Sequence, residues 1–421
     1  MLTLNRITYY LLYLLLLSPI LSFYTMNKFG FPFTRYFSFL LLIYGVIFLV
    51  ISKKRIVIPR IVYLLLIFIF YVQIRIWING KPGLFILFFG ANTSAIILII
   101  LIYNTYFSDR FINITVLIIK ITVVLSAIVS MIQVSNFSFM DANPAWVKWG
   151  GGDVLSGNLY LDRRLSIFGF TDLNELGLSY MPLASTLIGF LFLQKNRFKY
   201  FFLLLIGISA FLSNNRYVMV AFLIIAIQVV IVQKLRISIL FKYLIFFAVF
   251  SIILMQGLKY FGYNLEDWYN QRLFSEGSIK ETTRYKAIDN FLLFFPQKPL
   301  FGTRFMTEAI KNASESVGSS QIHVGYLSAL VYHGIFGCFF LFGFWFILAK
   351  RLFKTARSTN FWGSFFAFTI FLVALGTLVA FHIFFYGIIF AIVFDKYYLD
   401  KLKAETGYPR NGKIDSTNEF P

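Results

Sequence analysis

The chain has 421 residues, of which 59% are hydrophobic and 20% are aromatic, and its formal net charge is +20 at pH 7. Soluble globular proteins are about 45–50% apolar, so this composition excludes an ordinary water-soluble enzyme. The positive charge does not indicate nucleic-acid binding, because Lys and Arg concentrate in the cytoplasmic loops of membrane proteins. A single cysteine, Cys338, excludes an intrachain disulfide and a cysteine metal cluster.

Apolar runs of the length that crosses a bilayer, roughly 20 residues, recur along the whole sequence. The first run, from Ile7 to Met26, is too long for a signal peptide and lacks a cleavage site of small residues, so it predicts a first span. We predict an all-α, polytopic integral membrane protein with about 12 transmembrane helices. The predicted spans are 7–26, 33–51, 57–78, 84–103, 111–134, 173–193, 200–213, 217–233, 238–257, 323–348, 361–378 and 380–394.

Lys and Arg residues fall in alternate loops between these spans, and such loops mark the cytoplasmic face. The pattern predicts that both termini are cytoplasmic. The basic loops contain Lys53 to Arg55, Arg110, Lys195 to Lys199, Lys234 with Arg236, and Lys350 to Arg357.

The spans and loops divide the chain into three predicted regions. Residues 1–134 form N-terminal transmembrane helices, and residues 135–394 form a catalytic transmembrane region with two longer extracytoplasmic loops, 135–172 and 258–322. Residues 395–421 are predicted to be a cytoplasmic tail without order, because the segment is polar. Neither long loop has the length of an enzyme domain with its own core, so functional residues must be shared with the membrane helices.

Two arginines stand at predicted helix starts on the extracytoplasmic face. Arg216 ends the turn Ser213-Asn214-Asn215-Arg216, where it must reach lipid headgroups or pair with an anion. Arg284 opens an amphipathic helix that follows Ser278 and stops at Pro296 and Pro299, and a helix N-terminus favours anions. A solvated loop arginine is the alternative interpretation of Arg284.

The first long loop contains a further polar group before it enters a hydrophobic span. Arg163 and Arg164 come first, and Asn174 and Glu175 follow at the membrane boundary. A carboxylate in a membrane helix is costly unless it is paired or functional, so a structural ion pair between Glu175 and one of the arginines is the alternative.

His323 lies where the second long loop meets an apolar run, and a histidine can accept a proton near neutral pH. The alternative is a boundary histidine that only forms hydrogen bonds. His333 and His382 lie inside spans, where a packed histidine is expected. We find no metal-ligand spacing, no Walker A motif and no nucleophile elbow, so no metal and no cofactor are predicted. Arginine forks suit phosphate and diphosphate, which favours a transferase that uses a lipid-diphosphate donor.

Four stretches keep a common order and lie on one predicted membrane face. They are Arg164 to Gly177 (RLSIFGFTDLNELG), Ser213 to Arg216 (SNNR), Arg284 to Gly302 with its closing PLFG, and His323 to Gly337 (HVGYL followed by GIFG). With these stretches the sequence resembles the O-antigen polymerase/ligase superfamily of bacterial integral-membrane glycosyltransferases, over about residues 160–350. Val324 and Asn215 depart from the family pattern, where asparagine and serine are usual.

The resemblance implies metal-independent, inverting glycan transfer from an undecaprenyl-diphosphate carrier, on the periplasmic face of a bacterial inner membrane. It implies that Arg216 and Arg284 bind the diphosphate and that His323 orients or deprotonates the acceptor hydroxyl. It also implies that Arg163 and Arg164 bind the second lipid-linked substrate. The supporting contacts it implies come from Asn174, Glu175, Asn215, Arg304 and Tyr326.

Three functions remain open at this point. We favour a polymerase that joins lipid-linked repeat units into O-antigen, capsule or exopolysaccharide. The first alternative is an O-antigen ligase that transfers glycan to lipid A-core, and the second is a transporter or flippase of lipid-linked oligosaccharide. The expected partners are the glycan donor and acceptor and the lipid bilayer, with a chain-length regulator as a further candidate and no nucleic acid.

Overall fold

The computed structural model describes residues 2–29, 40, 43–48, 56–78, 96–135, 179–212, 216–234, 249, 256, 283–303, 324–376 and 386–406. Regular structure in these ranges is helical. The helices are α1 (Leu2–Phe29), α2 (Arg60–Ile78), α3 (Asp109–Ser135), α4 (Met181–Leu193), α5 (Lys199–Leu212), α6 (Arg216–Gln233), α7 (Thr283–Phe294), α8 (Gly325–Thr359), α9 (Gly363–Leu375) and α10 (Tyr386–Glu405).

Three segments are long and apolar enough to cross a membrane, namely α2, residues 109–132 of α3, and α8. Large apolar side chains on two of these helices face outward, and Phe70, Trp77, Phe339 and Phe346 are each 68–77% exposed. Side chains of this kind need a lipid environment. The prediction of an all-α membrane protein is therefore confirmed, while the number of crossing helices and the two long loops remain predictions.

Local sequence accounts for several helix ends. Pro182 occupies the first turn of α4, where a missing N–H costs nothing. Pro296 converts the end of α7 into a single 3-10 turn, Phe295–Gln297. Asn360 adopts a left-handed conformation with φ 58° after α8, the conformation that commonly ends a helix. Of these ends, the stop of α7 at Pro296 was predicted from the sequence, whereas α8 continues past the predicted end of its span at residue 348 to Thr359.

The central packing unit consists of α4 with α6, α9 and α10 around it. Helices α4 and α9 approach very closely at two glycines, since a Cβ on Gly189 would lie 2.5 Å from the Gly363 Cα. A buried polar pair joins α4 to α6 at the same level: Ser185 Oγ donates to Gln228 Oε1 at 2.7 Å, and Gln228 Nε2 donates to the Ser185 carbonyl at 3.0 Å. Helix α8 packs against this unit and also against α2.

Helix α10 continues into the segment that was predicted as a tail without order. It runs to Glu405, so the first part of 395–421 is helical, and residues 407–421 lie outside the described part. The reason is packing, because Tyr397 and Tyr398 are more than 90% buried and Tyr397 donates a 2.7 Å hydrogen bond to Asp109 Oδ1 of α3. The prediction was based on the polar composition of the segment, which does not show that these two tyrosines are buried.

A buried ion pair fixes α10 to α8. Arg351 Nε donates to Asp395 Oδ2 at 3.2 Å, and the guanidinium lies 4.3 Å from the Tyr103 ring centroid. The Asp395 side chain is 1% exposed, whereas that of Arg351 is 26% exposed. Because only the arginine reaches solvent, the carboxylate depends on its partner.

We expect Asp395→Ala to lower the free energy of unfolding by about 2 kcal/mol, since a buried charge-assisted hydrogen bond is lost while Arg351 regains only part of its hydration. Thermal unfolding of the detergent-solubilised protein, followed by tryptophan fluorescence, should show a midpoint several degrees lower. Asp400→Ala is the matched control, because Asp400 pairs with Lys396 in an i,i+4 contact worth less than about 0.5 kcal/mol. Equal shifts for the two variants would contradict the assignment.

Candidate functional site

Helix α8 turns back on itself at Gly334, which has φ 66° and ψ −178°. In a straight helix Tyr326 and Phe342 would lie about 24 Å apart along the axis. Their ring centroids are instead 6.2 Å apart, and the Tyr326 ring lies 6.3 Å from that of Trp345. The residues from 325 to 333 therefore form a short segment that runs alongside the residues after Gly334. Gly325, the first residue of this segment, therefore lies inside the helix bundle and not beyond the end of the bundle.

The loop of residues 299–303, which we call the 299–303 loop, supports this turn. Its carbonyl groups replace the helical acceptors that the break removes: Ile335 N donates to Pro299 O at 2.9 Å, and Phe336 N donates to Leu300 O at 3.0 Å. In the other direction, Thr303 N donates to Val331 O at 2.7 Å. The loop thus bonds to both arms of α8.

Two glycines make this contact possible. Gly302 has φ 73°, and a Cβ there would lie 2.6 Å from the Gly334 backbone nitrogen. A Cβ on Gly334 would lie 2.4 Å from the Leu300 carbonyl oxygen. These glycines close the PLFG stretch and open the GIFG stretch of the sequence, so part of the family pattern has a structural explanation.

Arg75 and Tyr71 of α2 hold the turn from the opposite side. Arg75 Nη1 donates to Tyr332 O at 2.9 Å and Nη2 donates to Gly302 O at 3.0 Å, so one guanidinium joins α8 to the loop. The Tyr71 hydroxyl accepts from Arg75 at 3.0 Å and lies 2.9 Å from the carbonyl oxygens of Phe301 and His333. It has one proton and donates to one of these at a time. We call these two residues the α2 clamp.

Helix α7 packs on the short first arm of α8. Ala287, Phe294 and Val331 are buried together, with Val324 and Leu327 at the edge of the same cluster. Arg284 lies one helical turn before Ala287, and His323 immediately precedes Val324. The structure therefore brings together the immediate sequence neighbours of these two predicted site residues.

Helix α6 meets the same region through α9. The Tyr217 hydroxyl donates to Ile370 O at 2.8 Å, and the Tyr326 hydroxyl donates to Leu372 O. The two acceptors are two residues apart, about 3 Å along the axis of α9. Because Tyr217 follows Arg216 directly, the start of α6 and the start of α8 are held at one level of α9.

The structure describes the predicted site residues unevenly. Tyr326 is described in full, and it is half-buried against α9 and Trp345. For Arg216 and Arg284 the backbone is described, at the first residue of α6 and the second residue of α7. The remaining predicted site residues lie outside the described residues, and these are Arg163, Arg164, Asn174, Glu175, Asn215, Arg304 and His323.

Sequence reasoning missed Arg75 and Tyr71. A signal was present, because Arg75 is a charged residue inside a predicted span and such residues are paired or functional. The sequence could not identify its acceptors, which lie 227 and 257 residues further along the chain. His333 is a packed histidine, as expected for its place in a span, and its ring meets Phe68 edge-on at 5.1 Å.

Both described arginine positions are suited to anions. Arg216 is the first residue of α6 and Arg284 is the second residue of α7, in the first helical turn, where backbone N–H groups lack helical partners and the helix dipole is positive. The short arm of α8 packs against α7 and bonds to α9 as α6 does, and its Val324 cap makes no side-chain hydrogen bond. A helix N-terminus can oppose the charge of a phosphate or diphosphate.

Comparison with known families supports the sequence resemblance over a defined segment. Residues 201–342 match the family model described as O-antigen ligase. The match includes α5, α6, α7 and α8 as far as Phe342, and it begins after the first of the four motif stretches. No curated protein matches the chain. The segment that contains the turn at Gly334 and the starts of α6 and α7 is thus similar to the O-antigen ligase family model, and this match is consistent with the O-antigen polymerase/ligase superfamily that the sequence resembles.

Proposed function

We propose that this protein is a bacterial membrane glycosyltransferase that polymerises undecaprenyl-diphosphate-linked repeat units into a surface polysaccharide. The observation that carries the proposal is twofold: α7 packs on the first arm of α8 at Ala287, and α9 accepts hydrogen bonds from both Tyr217 of α6 and Tyr326 of that arm. Each of these residues lies within three positions of Arg216, Arg284 or His323. A lipid diphosphate and an acceptor hydroxyl need such an arrangement of cations and one base.

The proposed reaction is a single displacement at the anomeric carbon of the growing chain. The acceptor hydroxyl oxygen forms the new glycosidic bond, its proton passes to His323, and the bond to the diphosphate breaks with its electron pair on the departing oxygen. Arg216 and Arg284 oppose the negative charge that develops on the leaving diphosphate. Arg163 and Arg164 hold the second lipid-linked substrate, and no metal takes part in this scheme.

The proposed orientation has both termini in the cytoplasm and the site on the periplasmic face of the inner membrane. The basic residues of the described part support it. Arg197 lies in the turn before α5 and Lys199 is the first residue of α5, while Lys350, Lys354 and Arg357 lie at the end of α8 that is remote from Gly334. A basic loop on the side opposite the proposed site agrees with the positive-inside rule.

A ligase is the second candidate, because the matching family model is described as O-antigen ligase. In that reaction the finished glycan moves from the same lipid diphosphate to lipid A-core. The donor chemistry is shared, so the described geometry supports both reactions equally. Our preference for polymerisation rests on the larger number and divergence of polymerases within the superfamily that the sequence resembles.

The test uses a host that lacks its own polymerase and carries the cognate repeat-unit pathway. We expect wild-type protein to restore a glycan ladder on a gel, and Arg216→Ala, Arg284→Ala and His323→Ala to leave single repeats at equal membrane levels. Arg197→Ala is the matched control, because Arg197 is exposed in the turn between α4 and α5. It should keep the full ladder.

The other outcomes separate the alternatives. Restoration of polymer on lipid A-core in a ligase-deficient host would support the ligase and contradict the polymerase. If deletion of the gene from its own host removes all surface glycan, single repeats included, while the polymerase-deficient host gains no ladder, the polymerase proposal fails in favour of ligation or transport. Full ladders from all three site variants would refute the proposed residue roles.

A further inference from the structure

We infer that Arg75 and Tyr71 of α2 are positioning residues for the transfer reaction, although α2 lies outside the segment that matches the family. The inference rests on the proposed function, because it assigns these residues to the geometry of that site. Neither residue carries out chemistry. Their role is to fix the angle between the two arms of α8 and the place of α7 on the first arm.

The α2 clamp joins two segments that are distant in the sequence. Arg75 bonds to Tyr332 on the first arm of α8 and to Gly302 in the 299–303 loop. Tyr71 reaches Phe301 of that loop and His333, the residue before the turn. Two adjacent turns of one helix therefore donate hydrogen bonds to three carbonyl groups at a time, and these come from two distant segments.

Two short stretches of chain connect the α2 clamp to the proposed site. The 299–303 loop follows α7 through the turn at Pro296, so its position fixes the end of α7. The first arm of α8 begins two residues after His323. A shift of the loop relative to the arm would therefore change the separation between Arg284 and His323.

The shape of the arginine side chain makes Arg75 suited to this role. A guanidinium is planar and presents its donors in a fixed fork, so it can bond to Tyr332 O and Gly302 O together. A lysine in the same place is a point charge on a flexible stem and loses that fixed geometry. Arg75 thus acts on the geometry of the turn as well as on its stability.

The kinetic experiment uses purified protein in lipid nanodiscs with a lipid-diphosphate-linked oligosaccharide. We expect Arg75→Gln to lower kcat by about 30- to 100-fold, since a misplacement of about 1 Å can cost 100-fold. The KM for the donor should change less than about threefold, because Arg75 is not expected to contact substrate. Arg75→Lys should recover part of the lost kcat, and Tyr71→Phe should lower kcat by about 10-fold.

Two matched controls come from the same helix. Arg60→Gln removes an exposed arginine at the other end of α2, and Tyr63→Phe removes the hydroxyl of an exposed tyrosine. Both should keep wild-type kcat and KM. Loss of activity in the controls equal to that in the clamp variants would overturn the positioning role.

A cross-linking experiment tests the positioning role without depending on catalysis. Cys338 is the single cysteine, so Cys338→Ala gives a background without thiols. Ala287→Cys with Val331→Cys, which share one buried cluster, should form an oxidative cross-link between α7 and α8. Adding Arg75→Gln should reduce this cross-link several-fold, while the control pair Ser185→Cys with Gln228→Cys, between α4 and α6, should be unaffected.

The kinetic and cross-linking experiments together distinguish the possible failures. An unchanged α7–α8 cross-link in Arg75→Gln overturns the inference whatever the activity. A reduced cross-link with normal kcat and KM also overturns it, since the clamp would then be structural only. If wild-type protein transfers no glycan while its cross-link depends on Arg75, the proposed function fails, and the positioning role fails with it for that separate reason.

Discussion

Replacing Gly334 by alanine is expected to destroy the turn in α8 and to abolish function. Gly334 has φ 66° and ψ −178°, a conformation that is essentially restricted to glycine and costs other residues about 1–3 kcal/mol. The new Cβ would also lie 2.4 Å from the Leu300 carbonyl oxygen, which is backbone and cannot rotate away. Separation of the loop would break the bonds to Ile335 and Phe336, each worth about 1 kcal/mol.

The expected loss for Gly334→Ala is therefore about 4 kcal/mol in total. Fluorescence-detected size-exclusion chromatography and thermal unfolding should show less monodisperse protein and a clearly lower midpoint, and the glycan ladder should disappear. Gly302→Ala should have a similar effect, because its Cβ would meet the Gly334 backbone nitrogen at 2.6 Å.

Gly343→Ala is the control in the same helix. A Cβ there would lie at an ordinary contact distance of 3.6 Å from Leu64 Cδ1, and alanine favours a helix over glycine by about 1 kcal/mol. We expect wild-type behaviour or slightly higher stability. Wild-type stability for Gly334→Ala would show that α8 does not need the turn.

The second large effect is expected at the arginines that begin α6 and α7. If Arg216 and Arg284 stabilise a leaving diphosphate, Arg→Gln at either position should lower kcat by about 100- to 1,000-fold, the usual cost of removing one donor to a developing charge. The decrease in kcat should exceed the increase in KM, because the charge develops in the transition state. Arg→Lys should retain part of the rate, since it keeps the charge without the bidentate fork.

Release of lipid diphosphate by protein in nanodiscs measures these rates. Lys298→Gln is the matched control, because Lys298 is an exposed cation just after α7 and its substitution should leave the rate unchanged. Equal losses in Arg284→Gln and Lys298→Gln would indicate a general effect of surface charge. An Arg284→Gln variant with wild-type kcat would remove Arg284 from the proposed reaction.

Much of the helical framework could be predicted from hydropathy and from residues that stop helices. The predicted spans 57–78, 200–213 and 217–233 correspond to α2, α5 and α6, and Pro296 ends α7 as expected. These features depend on local composition, which a single sequence displays. Three of the four motif stretches lie in the segment that matches the O-antigen ligase family model, because the order of short polar motifs can be recognised in a sequence without knowledge of contacts.

The turn at Gly334 could not be predicted in the same way. The predicted span 323–348 is a continuous apolar run, and hydropathy does not distinguish a straight helix from two arms. The break exists because carbonyl groups of Pro299 and Leu300 replace the helical acceptors of Ile335 and Phe336. This replacement of acceptors is a tertiary contact. The GIFG stretch therefore indicated a family pattern but did not indicate that the chain reverses its direction at Gly334.

The α2 clamp also has a consequence for the order in which the protein is made. Arg75 enters the membrane long before its acceptors, since Gly302 follows it by 227 residues and Tyr332 by 257 residues. Until those segments are synthesised, a charged side chain in α2 lacks two of its carbonyl acceptors, and a charge within a bilayer is costly. The hydrogen bonds that join α2 to the 299–303 loop and to α8 can therefore form only after the second half of the chain has been inserted.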